Sequence, residues 1–330
     1  MFYVADVEID WKYGTGGLFA FLMKSNLLVA FSMVGDRRFR IVGTFPEEFT
    51  KDEGDVLYEE IEAQIRKDAE IDFNITKVHW FSTYKVHTRH VDKFSVGRIF
   101  LAGDSAHIHS PAGGQGMNTG IQDGYNLAWK LARVMSETSS LELLSTYNEE
   151  RLPNAENLTR TTDRFFGMIA DPNPVLSFVR MNVFPFAAKF LTGLDSVRRF
   201  LFPRIAQIAI NYRGMSLSRG SDNFKVKAGD RMPWLQIEGR SIYDDLREPL
   251  FHLILFNDGK RDIPPLPETL MKEWEGKIDS HHYSLFPHVA EAFGTSGSFF
   301  LILRPDNYIG LISDNLTPAT VENYLNLIRR

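Results

Sequence analysis

The chain has 330 residues, 44% hydrophobic and 24% charged, the balance of a folded protein long enough for two domains. Its net charge is −5, and Lys and Arg are scattered rather than gathered into a basic stripe, which excludes nucleic acid as the partner. With no Cys there are no disulfides, no thiolate metal sites and no dithiol chemistry, and a cytoplasmic location is expected.

From Phe2 to Phe45 four strand-like runs, FYVADVEID, GLFAFLM, NLLVAFSMV and RFRIVGTF, are separated by breaks at Gly14 to Gly17, Lys24 to Asn26 and Gly35-Asp36. That pattern predicts an antiparallel meander. Residues 16 to 35 are apolar enough to suggest a membrane span, but the polar Lys24-Ser25-Asn26 at their centre makes a β-hairpin the reading, and membrane insertion is not expected. The opening residues lack the basic-then-apolar layout of a signal peptide. A helix is predicted from Val56 to Ala69. The strand after it, ITKVHWFSTYKV, alternates loosely through Val78, Trp80, Tyr84 and Val86, with Ser82 interrupting and Phe81 facing the other way. The run from Arg98 to Gly103 is short, apolar and ends on Gly-Asp, the pattern of a buried strand that delivers its C-terminal end to a site.

Beyond the glycines that follow, Met117, Ile121, Tyr125, Ala128, Leu131 and Ala132 recur at helical spacing, predicting a helix over 116–134. A second helix is predicted from Leu141 to Phe166, with Pro153 kinking or breaking it. Residues 174 to 210 are rich in Phe, Leu, Val and Ile, with Pro185 and Pro203 as breakers and Asp195 to Arg199 as a polar interruption. Helical packing or a homodimer surface accounts for them. SRGSDNFKVKAGDRMP, near Gly220, reads as a linker, after which FHLILFN, FFLILRPD and YIGLIS alternate with helical patterns as in a small α/β domain.

The chemistry concentrates in FLAGDSAHIHSPAGGQGMNTGIQDGYNLAWKLA: a strand, an acidic turn, a loop with Gly113, Gly114 and Gly116, and a helix. Glycine lets backbone approach a ligand, a helix start offers free N–H groups and partial positive charge, and Asp104 is an acceptor for ligand hydroxyls. One glycine loop before a helix is common. The full order G-D-x-A-H-x-x-x-P-x-x-G-Q-G-x-N-x-G-I-Q-D, followed by N-L-A-W-K-L-A, is far more specific, and it resembles the second flavin fingerprint of the FAD-dependent aromatic-ring hydroxylases, the group A flavoprotein monooxygenases, in their phenol-hydroxylase-like branch.

The resemblance implies a mixed α/β fold of the p-hydroxybenzoate-hydroxylase type, with FAD as cofactor, NAD(P)H as co-substrate and a small aromatic or polycyclic substrate. It implies that Asp104 bonds the ribityl chain, that Pro111 lies beside the reactive edge of the flavin ring, that backbone amides around Gly116, Met117 and Asn118 face its pyrimidine end, and that Gly103, Gly113 and Gly114 also bind the cofactor; no catalytic side chain is assigned. His107 and His109 with Asp104 spell D-x-x-H-x-H, yet His107 belongs to the fingerprint as a structural residue and no metal is expected. Ser105 and Ser110 do not sit in a nucleophile elbow. Substrate contacts are expected from the sheet around Leu18 to Phe31, from Arg40 and from Trp80, although a Trp in a strand is more often core. Tyr147 to Arg151 is read as an exposed, salt-bridged helix face. Three domains follow: a partial substrate-domain sheet over 1–95, the fingerprint and helical region over 96–220, and a thioredoxin-like domain over 221–330. The fold is expected to be partial, because neither a G-x-G-x-x-G after an opening strand nor a D-G motif with trailing Arg is matched, which implies a chain lacking about 150 N-terminal residues. A non-catalytic subunit or binding module is the alternative.

Overall fold

A computed structural model describes the chain except for residues 23–26, 34–36, 46–54, 70–71, 110–113, 172, 185, 188–189, 191–192, 261–265, 316 and 330. The turns expected at Lys24 to Asn26 and Gly35-Asp36, and Pro185, lie outside the described residues. The chain forms two compact units. One comprises Met1–Arg89, Ile108–Gly114 and Leu158–Leu201; the other comprises His90–His107, Gln115–Asn157 and Phe202–Arg330.

In the first unit β1 (Phe2–Trp11), β2 (Leu18–Leu22), β3 (Leu27–Ser32), β4 (Arg38–Thr44) and β5 (Phe73–Tyr84) form one antiparallel sheet in the order β2-β3-β4-β1-β5. The simple meander is therefore corrected: β2, β3 and β4 follow one another, but β1 lies between β4 and β5. Period-2 burial explains why β1 is central, since Tyr3, Ala5, Val7 and Ile9 all enter the core. Helix α1 (Tyr58–Ala69) closes that face with Ile61 and Ile65, and Arg66 donates to the Phe73 carbonyl at 2.7 Å, tying its last turn to β5. The loose alternation of β5 has a cause, for its register against β1 shifts twice, between Asp6 and Val7 and between Glu8 and Ile9. On the other face one cross-strand row reads Leu18, Phe31, Arg40, Asp6, Trp80. Trp80 is 49% exposed, so it is not the core residue expected of a strand Trp.

In the second unit the strands Phe251–Asn257, Ile278–Ser284, Phe299–Leu303 and Ile309–Ser313 form a mixed sheet. Phe251–Asn257 lies inside the sheet, parallel to the edge strand Ile278–Ser284 and antiparallel to Phe299–Leu303, which pairs antiparallel with Ile309–Ser313. The helices Glu268–Glu273, Pro287–Phe293 and Pro318–Arg329 complete a β-α-β-α-β-β-α order. The central strands are apolar throughout because both faces are covered, one by the core holding Trp129, Phe251, Phe300 and Tyr324, the other by that holding Phe256, Phe293 and Phe299. The segment read as a linker is packed instead: Arg219–Gly220 adds a parallel edge to Ile309–Ser313, and Phe224 is buried.

Three further expectations are corrected. The Arg98 to Gly103 run is not a buried strand: Ile99–Phe100 is extended, its partner is the two-residue Ser95–Val96, and Ile99 is 70% exposed, with no second strand beside it among the described residues. Helix α2 (Gly116–Met135) forms as predicted but faces the other way: Thr119, Asp123, Asn126, Trp129 and Lys130 are buried, while Met117, Ile121 and Tyr125 are exposed. Pro203, expected as a breaker, lies inside the last turn of the helix Asp195–Ile205, whose first half is the polar stretch Asp195 to Arg199.

Candidate functional site

Between the Ile99–Phe100 strand and α2 the chain makes one 3-10 turn, Gly103–Ser105. The Ala106 N–H donates to the Gly103 carbonyl at 2.8 Å. The Ser105 hydroxyl donates to the Ala102 carbonyl at 2.8 Å and accepts from the Ala102 N–H at 3.1 Å, so one side chain closes the turn in both directions. Gly103 has φ +57°, and a Cβ placed on Gly120 of α2 would meet the Gly103 Cα at 3.3 Å. Turn and helix thus pass backbone to backbone; the positive φ is what favours glycine at 103, while a Cβ at 120 would ask the turn to give by only a few tenths of an ångström. Gly103→Ala is expected to cost about 1–2 kcal/mol through the positive φ. Crowding adds little, because the nearest atom to the new Cβ stands at 3.5 Å. Urea unfolding measures the loss.

The buried Asp123 of α2 fastens this turn. Its Oδ2 accepts from the Gly103 N–H at 3.1 Å and from His107 Nε2 at 2.7 Å, and its Oδ1 accepts from Arg151 Nε at 2.7 Å. A carboxylate only accepts, so His107 Nε2 carries the hydrogen. Burial by itself would raise the Asp123 carboxyl, but the His107 hydrogen bond and the Arg151 charge outweigh it and hold the group below the usual carboxylate range. Tyr147 donates to the Leu101 carbonyl at 2.7 Å, and Gln207 donates to the Thr119 hydroxyl at 2.6 Å, bracing the strand end and the first turn of α2.

Helix α3 (Ser145–Ala170) carries the partners of α2. The helix face expected to be exposed and salt-bridged at Tyr147 to Arg151 is ion-paired but not exposed, since Tyr147, Glu150 and Arg151 are all buried. Glu150 Oε2 accepts from Lys130 Nζ at 2.8 Å and from Asn126 Nδ2 at 2.7 Å, and Arg304 Nη1 donates to Glu150 Oε1 at 2.5 Å. Arg304 Nη2 also reaches Asp306 Oδ2 at 2.6 Å, which accepts from Trp129 Nε1 at 3.1 Å. Two cations and two anions are therefore buried together, each hydrogen-bonded, the condition under which buried charge is tolerable. Burial still lowers Lys130, to about 8, against the opposing pull of Glu150.

On this frame Asp104 stays exposed at the apex of the turn. The Gln115 side chain makes no capping bond at the start of α2, and the first turn holds no acidic residue, so the N–H groups of Gly116, Met117 and Asn118 stand at a positive helix end. Gly114, with φ +63°, precedes it. Pro111, Gly113 and Ser110 lie outside the described residues. An exposed carboxylate on a fixed turn and an open helix start in one strand-turn-helix unit fit a ligand with hydroxyls and an electron-rich edge.

Residues 14–162 match the model of the FAD binding domain family. The chain is 33% identical over 261 residues to the "Flavin-dependent monooxygenase" of Mycobacteroides abscessus, covering 77% of this chain and 45% of that protein. It is a relative of the flavin-dependent monooxygenases. To the "Rifampicin monooxygenase" of Streptomyces venezuelae this flavin-monooxygenase relative is 31% identical over 279 residues, covering 84% of itself and 52% of that protein. It spans about half the length of the curated relatives it matches. The solved structure of BexE, studied for oxidation during BE-7585A biosynthesis, superimposes with a TM-score of 0.69 at 25% identity, covering 98% of this chain and 63% of that one. The Gly103–Ser105 turn lies within the residues that match the FAD binding domain. Sequence reasoning passed over the residues that hold it, Asp123 and Arg151; their signal was an acid at the end of the fingerprint and a base on the next helix.

Proposed function

We propose that the chain is part of an FAD-dependent monooxygenase that hydroxylates an aromatic or polycyclic substrate with NAD(P)H and O₂. The observation that carries this reading is the Gly103–Ser105 turn, held by Asp123 beside an uncapped helix start. Asp104 would accept from ribityl hydroxyls, the N–H groups of Gly116, Met117 and Asn118 would face the pyrimidine end of the ring, and Pro111 would lie beside its reactive edge. When bound, FAD supplies the electron transfer and oxygen activation that no side chain here can supply. The protein's part is electrostatic: a helix start favours negative charge at that end, and a turn already fixed by buried hydrogen bonds need not reorganise.

The row Leu18, Phe31, Arg40, Asp6, Trp80 is our candidate for the substrate face. Arg40 donates to both oxygens of Asp6, at 2.7 and 3.0 Å, so its charge is matched and the face offers apolar rings rather than an anion clamp. The C-terminal domain we infer to be thioredoxin-like, a reading its β-α-β-α-β-β-α order supports; without Cys it is structural.

The test is to add FAD to the purified chain and follow retained flavin absorption, then NAD(P)H oxidation with an aromatic substrate. Retained flavin is expected, with Asp104→Ala weakening it roughly 10- to 100-fold, the value of one charge-assisted hydrogen bond. A chain that takes up no flavin and oxidises no NAD(P)H would sink the enzyme reading. The second reading, a subunit or binding module that forms a homodimer, is favoured by the exposed Phe178, Phe186, Phe190 and Phe202. Molar mass by light scattering decides it. Among the described residues no helix is long and apolar enough to cross a membrane; a cytoplasmic setting belongs to the same proposal.

A further inference from the structure

The C-terminal sheet carries a second cluster of ligating side chains, separate from the flavin turn. His252 lies on the strand Phe251–Asn257, directly opposite Asp279 of the parallel strand Ile278–Ser284, and His281 is two residues beyond Asp279. Residues two apart on a strand share a face, and in register so does the opposite residue, so all three project from one side of the sheet. His252 Nε2 lies 3.0 Å from the Glu248 carbonyl. A carbonyl only accepts, so Nε2 carries the hydrogen and Nδ1 presents a lone pair. That lone pair is 3.0 Å from His281 Nε2, which is in turn 3.5 Å from Asp279 Oδ2. The other carboxylate oxygen of Asp279 accepts from the Ser280 N–H at 2.8 Å, which fixes the group.

We propose that His252, Asp279 and His281 form a binding site for a divalent transition-metal cation of the Zn²⁺ class, with one coordination position open to solvent. Their ligand atoms all lie within 4.8 Å of one another. Two nitrogens on one tetrahedral Zn²⁺, each at about 2.0–2.1 Å, stand about 3.3 Å apart, close to the separation of the two imidazoles. Two imidazoles and a carboxylate suit Zn²⁺ and its neighbours, whereas Mg²⁺ and Ca²⁺ take oxygen ligands. The Glu248 carbonyl is the kind of outer partner that orients a metal-bound histidine. His252 is buried, but the side chain of Asp279 is half exposed, which opens the site on the carboxylate side. Without a cation the same atoms make a plain hydrogen bond, His281 Nε2 donating to His252 Nδ1.

Calorimetric titration of the chelator-stripped full chain with ZnCl₂ tests the assignment, alongside His281→Asn and Asp279→Asn. Both substitutions lie on the sheet's edge strand, and unchanged amide exchange in Phe299–Leu303 confirms that the sheet stays folded. One saturable Zn²⁺ site is expected, weakened about 10-fold or more in each variant, and no binding of Mg²⁺. A parent chain without saturable Zn²⁺ binding, or variants that bind as tightly as the parent, overturns the proposal.

Discussion

Asp123→Asn is expected to destabilise the second unit by about 3–5 kcal/mol, the cost of removing one partner from a buried ion pair. The amide has one acceptor oxygen where the carboxylate has two. It cannot serve the Gly103 N–H and His107 on one side and Arg151 on the other, and Arg151 is left charged in a fully buried place. Urea unfolding, with the Gly103 and Ala106 amides followed by hydrogen exchange, measures the loss. Because Asp123 acts on the turn and not on the flavin itself, FAD affinity of the still-folded variant should fall too, and more steeply than for Gly103→Ala. A variant within 1 kcal/mol of the parent and equally able to hold FAD would show that Asp123 positions nothing. The pH dependence carries a sign. The folded-state carboxyl is lowered, so its contribution to stability is complete above about pH 4 and is lost as the pH falls through the lowered value. The acid limb of the variant's stability curve should therefore be flatter than the parent's.

How far the sequence could be read depends on the range of the interactions. The fingerprint was legible because a strand end, a turn at positive φ and a helix start are local, and their glycines are demanded by backbone geometry rather than by partners far away. β1 to β4 were legible for a similar reason, since period-2 alternation and turn residues mark each strand. What alternation does not encode is the neighbour, and β1 was misplaced because its partner β5 lies about seventy residues further on. The face of α2 was misread for a deeper reason. Thr119, Asp123, Asn126 and Lys130 fall at helical spacing as cleanly as Met117, Ile121 and Tyr125, and a polar stripe is normally the solvated one. Here the stripe is buried because Glu150, Arg151, Arg304 and Asp306 supply matching charge, two of them more than 150 positions away. The same inversion hid Glu150 and Arg151, whose composition reads as a surface helix until their partners are known.

That buried network makes the second large prediction. Glu150→Gln removes the negative charge shared by Lys130 and Arg304 and one of its two acceptor oxygens, leaving two buried cations with the charge of Asp306 alone, and about 3–5 kcal/mol of stability should go with it. Pairing the change with Lys130→Met restores the balance, one cation to one anion, since Arg304 keeps both of its hydrogen bonds to Asp306. The double variant should then be more stable than Glu150→Gln alone, with a coupling of about 0.5–3 kcal/mol in a double-mutant cycle. Amide exchange in the strand Phe299–Leu303, which leads directly into Arg304, reports on the unit that holds the network. If the two losses simply add, Lys130 and Glu150 do not act as a pair, and the burial of α2's polar face must be explained by Trp129 and Asn126 instead. If they couple, charge balance rather than hydrophobicity orients α2, and with it the turn that Asp123 fastens.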